Sequence, residues 1–301
     1  MTSTTSGKRA TTIEAYKAAW ERVDIEEHYE RGLAFQPRPS DVIISPYSKS
    51  GTTWLQQIVH GLRTRGSIEF PEISWVVPWI ETAGVIGIDL EAEQVGPFRA
   101  FKSHLDYGRI PKGGRYIVSF RHPYDAALSF YHFMEGWFFE QGAVSLAQFI
   151  WGEVLTREDG RSYWGHLASW WQARRQPNVL LLTFESMKED LPATVRKVAA
   201  FLNIDLDPEL ERIVIHQSSY PFMRDHIHQF DDHILAEVFD RMAGHPRGNS
   251  DKVREGKAGA GNNRLTDDLK AELDARWQQE IAEPFGLSDY QALRHHIESG
   301  K

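Results

Sequence analysis

Asp41-Val-Ile-Ile-Ser-Pro-Tyr-Ser-Lys-Ser-Gly-Thr-Thr-Trp54 is the stretch on which the fold turns. Its first five residues are short, apolar and β-branched, the pattern of a strand, and Pro46-Tyr47-Ser48 ends it in a turn. Beyond Gly51, the residues Trp54, Leu55, Ile58, Val59 and Leu62 recur on one helical face. A strand, a glycine turn and a helix in that order make an anion site. The glycine lets backbone approach a ligand, and the first N–H groups of the helix are unsatisfied donors reinforced by its dipole. Lys49 adds a charge; Ser50, Thr52 and Thr53 add hydroxyl donors. The nucleotide-triphosphatase pattern G-x-x-x-x-G-K-[ST] is not met, because the lysine precedes the glycine and no second glycine is correctly spaced. An ordinary strand-to-helix turn with a capping threonine is the plainer reading, but six consecutive residues of this kind weigh against it.

The alternation continues along the chain. Strands are expected over 98–104, 115–120 and 178–183, and helices over 13–29, after Pro123 and over 192–202. This predicts a single α/β domain over 13–301, a mostly parallel sheet flanked by helices, behind a flexible polar tail at 1–12. Ligands of such sheets bind beyond the carboxyl ends of the strands, so the segments after Ser45, Phe120 and Thr183 should converge. Residues 244–264 hold five glycines and little apolar content, and are read as a mobile segment covering a cofactor. A last helix should start at Thr266 as N-cap, with Asp267 and Asp268 in its first turn.

With 301 residues, 41% hydrophobic and 25% charged, the chain can bury a real core. Cysteine is absent, so disulfides, thiolate metal sites and cysteine nucleophiles are excluded. A net charge of −8 argues against a non-specific nucleic-acid surface. The first residues lack the apolar stretch of a secretory signal, and the longest apolar runs, such as 179–182, fall far short of the roughly 20 residues that span a bilayer. A soluble, cytoplasmic chain is the expectation.

Two further segments carry chemistry. In Arg121-His-Pro-Tyr-Asp-Ala-Ala-Leu-Ser129-Phe-Tyr-His-Phe133, Arg121 ends a strand and Ser129 lies about two turns into the next helix. A guanidinium fork and a hydroxyl can together hold a phosphate. In Phe101-Lys-Ser-His104-Leu, strand residues two apart share a face, so Lys102 and His104 can both enter the crevice. A neutral imidazole is a suitable base near neutral pH. Taken singly, each also reads as an exposed arginine, a solvated serine or a structural histidine.

Together these segments resemble the 3′-phosphoadenosine 5′-phosphosulfate (PAPS)-dependent sulfotransferases of the cytosolic type, and a bacterial member is expected. The matching signatures are P-K-S-G-T-T-W, R-x-P-x-D-x-x-x-S-x-Y-x-x-F and K-T-H-L. The resemblance implies a P-loop-like α/β fold with a five-stranded parallel sheet. It implies that Lys49, Ser50, Gly51, Thr52, Thr53 and Trp54 bind the 5′-phosphosulfate, with Trp54 near the adenine. It further implies that Arg121 and Ser129 contact the 3′-phosphate and that His104 is the catalytic base. Looser matches follow. Phe184-Glu-Ser-Met-Lys resembles Y-E-D-M-K, keeping the ring at the adenine without its hydroxyl. Ser218-Ser219-Tyr220-Pro-Phe-Met223 resembles T-S-F-x-x-M, which sets Tyr220 against the base. Arg254-Glu255-Gly256 resembles R-K-G, which closes over the 3′-phosphate; Glu255 replaces a basic residue, and Lys252 or Lys257 is a candidate to compensate. The usual aspartate-tryptophan pair is replaced near Gly261-Asn262. The resemblance spans 42–263.

The implied reaction moves a sulfuryl group from PAPS to a hydroxyl of a small hydrophobic acceptor (phenol, steroid or alcohol), leaving adenosine 3′,5′-bisphosphate (PAP). It demands in-line geometry and charge stabilisation on the leaving oxygen. His104 would take the hydroxyl proton, Lys49 would neutralise the leaving oxygen, and Lys102 would assist; no metal is required. A P-loop-type small-molecule kinase and a non-catalytic nucleotide-binding module are the alternatives. The first would need G-K-[ST]; the second has no use for His104 and Lys49. His226, His228 and His233, near Asp231 and Asp232, match no tight metal motif, and the cluster is read as solvated surface. Most of the ten tryptophans belong in the core, with Trp75, Trp79, Phe133, Trp137 and Phe138 as candidates for an apolar acceptor pocket. The family's dimer segment K-x-x-x-T-V-x-x-x-E keeps Thr266 but has Asn262, Asp267 and Ala271 at its other positions, so the oligomeric state stays open. The expected partner is the acceptor alone, with neither nucleic acid nor membrane.

Overall fold

In the computed structural model, which describes residues 7–246, 248, 249, 252 and 259–300, the apolar runs pair as four parallel strands. These are β1 (Val42–Ile44), β2 (Ala100–Lys102), β3 (Arg115–Phe120) and β4 (Val179–Thr183), in the order β2-β1-β3-β4. Because strand side chains alternate, each face of the sheet collects every second residue. Ile43, Phe101, Tyr116, Val118, Phe120 and Leu181 enter one core; Val42, Ile44, Ala100, Ile117, Leu180 and Leu182 enter the other. Burial on both sides explains why these strands read as continuous apolar runs.

Helices cover both faces. On the first side pack α1 (Ile13–Trp20), α4 (Pro123–Trp137), α5 (Tyr163–Gln172), α10 (His233–Ala243), α11 (Asp267–Trp277) and α12 (Tyr290–Ser299). On the second pack α3 (Thr52–Thr64), α6 (Phe184–Glu189), α7 (Leu191–Leu202), α8 (Pro208–Gln217) and α9 (Tyr220–Asp225). The chain leaves β1 for β2 on one side and then crosses to β3 on the other. The switch point therefore lies at the carboxyl end of β1, where an open parallel sheet presents its ligand crevice.

Several expectations change. The helix expected over 13–29 is two, α1 and α2 (Glu26–Leu33); between them Val23 is buried and Arg22 donates to the Ala243 carbonyl at 2.7 and 3.0 Å. The polar stretch 7–12 is not a free tail: Ala10 pairs with the backbone of Phe138 and Glu140 at 3.0 and 2.9 Å. The described residues form four strands instead of five. Beyond β2 the ladder shrinks to one bridge, Trp79 with Lys102, beside Pro78, which has no N–H to give. The strand expected over 98–104 stops at Lys102, because the His104 N–H is taken by Glu81 Oε1 at 2.8 Å. Thr266 stands at the start of α11, though its side chain makes no cap bond. Part of the glycine-rich stretch is packed: Gly259 and Gly261 donate to the two Asp125 carboxylate oxygens at 2.6 and 2.7 Å, and Ala260–Arg264 is helical. Among the described residues no helix is long and apolar enough to cross a membrane.

Two core histidines give the fold a pH dependence. Burial pushes His60 down to about 3 and His166 down to about 4. Once unfolded, both titrate near 6.5, so below that pH the unfolded chain binds more protons than the folded one and stability falls. Between pH 6.5 and 5 we expect a loss of about 2 kcal/mol per histidine, and none from these groups above pH 7. Urea unfolding across pH should show that slope and a flatter one in His60→Gln/His166→Asn; equal slopes would clear these histidines of the effect.

Candidate active site

The turn from β1 into α3 is built on two left-handed residues. Lys49 has φ 66 and Gly51 has φ 103, and Gly51 occupies the N-cap position of α3 without a side chain to fill it. That leaves the first N–H groups of a 13-residue helix facing the crevice. Space also favours glycine: a Cβ at Gly51 would lie 3.2 Å from Phe184 Cδ2 and 3.3 Å from Ser119 Oγ. Ser119 Oγ donates to the Ser50 carbonyl at 2.6 Å, and Arg121 donates to the Lys49 carbonyl at 3.0 Å, so β3 braces the turn from below. The Lys49 ammonium stands 4.2 Å from the Phe133 ring centre, across the crevice.

His104 lies just past β2. Its Nδ1 is 2.8 Å from the Pro46 carbonyl, which can only accept, so Nδ1 carries the proton and Nε2 keeps its lone pair. Loss of hydration, then the nearby Lys102 charge, hold the imidazole well below its usual 6.5. Two residues back, Lys102 is buried; its ammonium is 2.7 Å from Asp232 Oδ2 and 4.4 Å from the Trp79 ring centre.

One cavity of about 690 Å³ collects nearly every residue that the motifs single out. Lys49, Gly51, Thr52, Thr53, Trp54, Lys102, His104, Arg121, Ser129, Phe184, Ser218, Ser219, Tyr220 and Met223 all line it. Ser50 is fully buried beside it, and Arg254 and Gly256 lie outside the described residues. Beside the β1–α3 turn, Trp54 Nε1 donates to the Ser218 carbonyl at 2.7 Å, and the Trp54 and Phe184 rings meet edge to face. The Arg121 guanidinium lies 4.4 Å from the Phe184 ring centre. Thr52 Oγ1 and Ser218 Oγ are buried on the cavity wall without a hydrogen-bond partner. Orphaned hydroxyls beside lysine and arginine suit an anionic ligand.

Of the aromatics expected at the acceptor end, Trp79, Phe133 and Trp137 line the cavity; Trp75 is solvent-exposed and Phe138 lies in the core. Tyr16, Trp20 and Phe239 join them from α1 and α10, helices that no motif marked. Lys252 does not compensate near Arg121: it pairs with Asp232 beside Lys102. Asp231 and Asp232, expected at the surface, are buried on the cavity wall. Asp231, His233 and Glu72 bring ligand-type atoms within 4.8 Å of one another, but the His233 Nδ1 is already engaged with Asp231 at 2.7 Å.

The sulfotransferase domain family matches residues 39–284, most of the chain and all of the strands. The chain belongs to that family. Canine sulfotransferase 1B1 is 29% identical over 275 residues, covering 85% of this chain and 88% of that one. Among solved structures, mouse sulfotransferase SULT7A1 complexed with PAP superposes with a TM-score of 0.66 at 21% identity, covering 91% of this chain and 94% of the other. Retinol dehydratase in complex with androsterone and inactive cofactor PAP gives 0.67 at 16% identity, covering 88% and 85%. At these identities the two structures bear on the fold.

Gly51 and Gly142 separate conformational strain from crowding. Both have positive φ, but a Cβ on Gly142 meets nothing within 4 Å. Gly142→Ala should cost about 1 kcal/mol of stability, and Gly51→Ala distinctly more, read by urea unfolding. Equal losses would mean that the turn has room for a side chain.

Proposed function

We propose that this chain transfers the sulfuryl group of PAPS to a hydroxyl of a small, largely apolar acceptor. The observation that carries the reading is the pairing of one fixed base with one anion cradle in a single cavity. His104 offers the Nε2 lone pair because Pro46 holds Nδ1, while Lys49 and the α3 N-terminus offer positive charge. The PAP in the similar structures named above supports this choice of donor. When bound, PAPS supplies the sulfuryl group and a phosphate leaving group.

The chain's own residues then divide the work. His104 accepts the acceptor's hydroxyl proton at Nε2. Lys49 offsets the charge that develops on the leaving oxygen, and the N–H groups of Gly51, Thr52 and Thr53 hold anionic oxygens. Arg121 and Ser129 hold the 3′-phosphate, the guanidinium levelled by the Phe184 ring and the Lys49 carbonyl. Trp54, Phe184 and Tyr220 are aromatic partners for the adenine. Trp20, Trp79, Phe133, Trp137 and Phe239 form an apolar wall that favours phenols, steroids and hydrophobic alcohols. The cytosolic-type motifs and the missing cysteines support a cytoplasmic setting.

His104→Ala should lower kcat by about 10² to 10⁴ with an unactivated alcohol while leaving PAP affinity nearly intact. Because the imidazole is held well below 6.5, wild-type kcat should stay level as pH falls past 6.5 and drop only in stronger acid, as the ring protonates. A folded His104→Ala protein with normal turnover would remove the histidine from the mechanism. Thermal shift with PAP against Mg-ATP separates this reading from a kinase.

Arg121→Ala should weaken PAP by about 1.5–3 kcal/mol and adenosine 5′-phosphate far less. Calorimetry with the two ligands checks this; equal losses would take Arg121 away from the 3′-phosphate.

A further inference from the structure

Asp232 does not act as its position suggests. It stands at the N-cap of α10, where an aspartate ordinarily accepts the first helical N–H groups. It makes no such bond, and its backbone adopts φ 53, a left-handed conformation that is strained for a non-glycine residue. Both carboxylate oxygens turn to the cavity wall instead. Oδ1 accepts from Ser74 Oγ at 2.5 Å and Oδ2 from Lys102 Nζ at 2.7 Å, and Lys252 pairs with the same Oδ2. Asp232 is 6% exposed and Lys102 2%, so this pair is withdrawn from water. Among the described residues, Asp232 supplies the one carboxylate in ion-pair contact with Lys102.

We propose that Asp232 is a positioning residue for sulfuryl transfer, holding the Lys102 ammonium charged and oriented at the end of β2. The inference rests on the sulfotransferase reading and adds to it a residue that none of the motifs contains. The geometry supports it: the Asp232 carboxylate touches both Lys102 and Lys252, the counter-charge that two buried ammonium groups need. A buried lysine without a counter-ion gives up its proton. Burial already pushes Lys102 below the usual lysine value, against the hydrogen bond with Lys252 and the pull of Glu72 and Glu81. The other charged groups in this corner are Lys252, repelled by both Lys102 and Lys49, and the titratable His104. Asp231, the next residue back, is engaged with His233.

Asp232→Asn keeps the shape and removes the charge. Two readouts are followed in full-length protein: the kcat–pH profile with a phenol acceptor, and the titration of Lys102 in protein carrying ¹³Cε-labelled lysine, assigned through Lys102→Arg. The Lys102 titration should move down by about one pH unit, which lowers the protonated fraction about fivefold at the wild-type midpoint and far less two pH units below it. The kcat should follow the same pattern, while affinity for PAP, which lacks the sulfuryl group, stays within twofold. Ser74→Ala, which loosens Oδ1, should move both readouts the same way by less, and it decides the matter if Asp232→Asn does not fold. An unshifted Lys102 titration overturns the proposal, as does a kcat loss equal at both of those pH values, the mark of a merely structural role. A wild-type protein that transfers no sulfuryl group sinks the functional reading, and the Lys102 titration still reports whether Asp232 holds the ammonium.

Discussion

The turn between β1 and α3 works only because Gly51 can adopt φ 103 with no side chain above Phe184 and Ser119. A side chain there would hold a strained backbone conformation and press on Phe184 and Ser119, which would have to give by a few tenths of an ångström. From that constraint the rest of the site follows. Ser119 and Arg121, both from the end of β3, grip the turn through backbone carbonyls. Their side chains are thereby fixed relative to Lys49, and the cavity acquires a rigid cationic corner.

An acidic protein can hold a polyanion because the positive groups are concentrated where water is scarce. Lys49, Lys102, Arg121 and Lys252 all line one cavity in a chain whose net charge is −8. Concentrating them has a cost: each cation raises the energy of the next and loses hydration. The counter-charges nearby answer it selectively. Asp232 neutralises part of the cluster at the Lys102 end, while Arg121 rests on an aromatic face and a carbonyl.

His104 illustrates how a residue at a strand end comes to present a lone pair to a cavity. Had the β2 ladder continued, its side chain would be one more alternating position on a covered sheet. Glu81 takes its N–H and Pro46 takes its Nδ1 proton, so the chain leaves the ladder and the imidazole is locked in one tautomer. Trp79 meets the ring edge to face at 5.2 Å and fixes its plane.

Local chemistry in the sequence was enough for the alternation of strands and helices, the anion cradle, and the convergence of Lys49, His104 and Arg121. Each of these depends on short-range patterns: β-branched runs, a glycine at a strand-to-helix turn, and polar residues at strand ends. The break at 21–25, the packing of 7–12 and the early end of β2 depend on partners distant in the chain, namely Ala243, Phe138 and Glu81. Trp20 and Phe239 reach the cavity from helices far apart in sequence, so no spacing could have paired them. Asp232 is the clearest case. As a residue among acids and histidines it reads as solvated surface. Only the fold, by setting α10 against the end of β2, turns its carboxylate into the partner of a buried lysine.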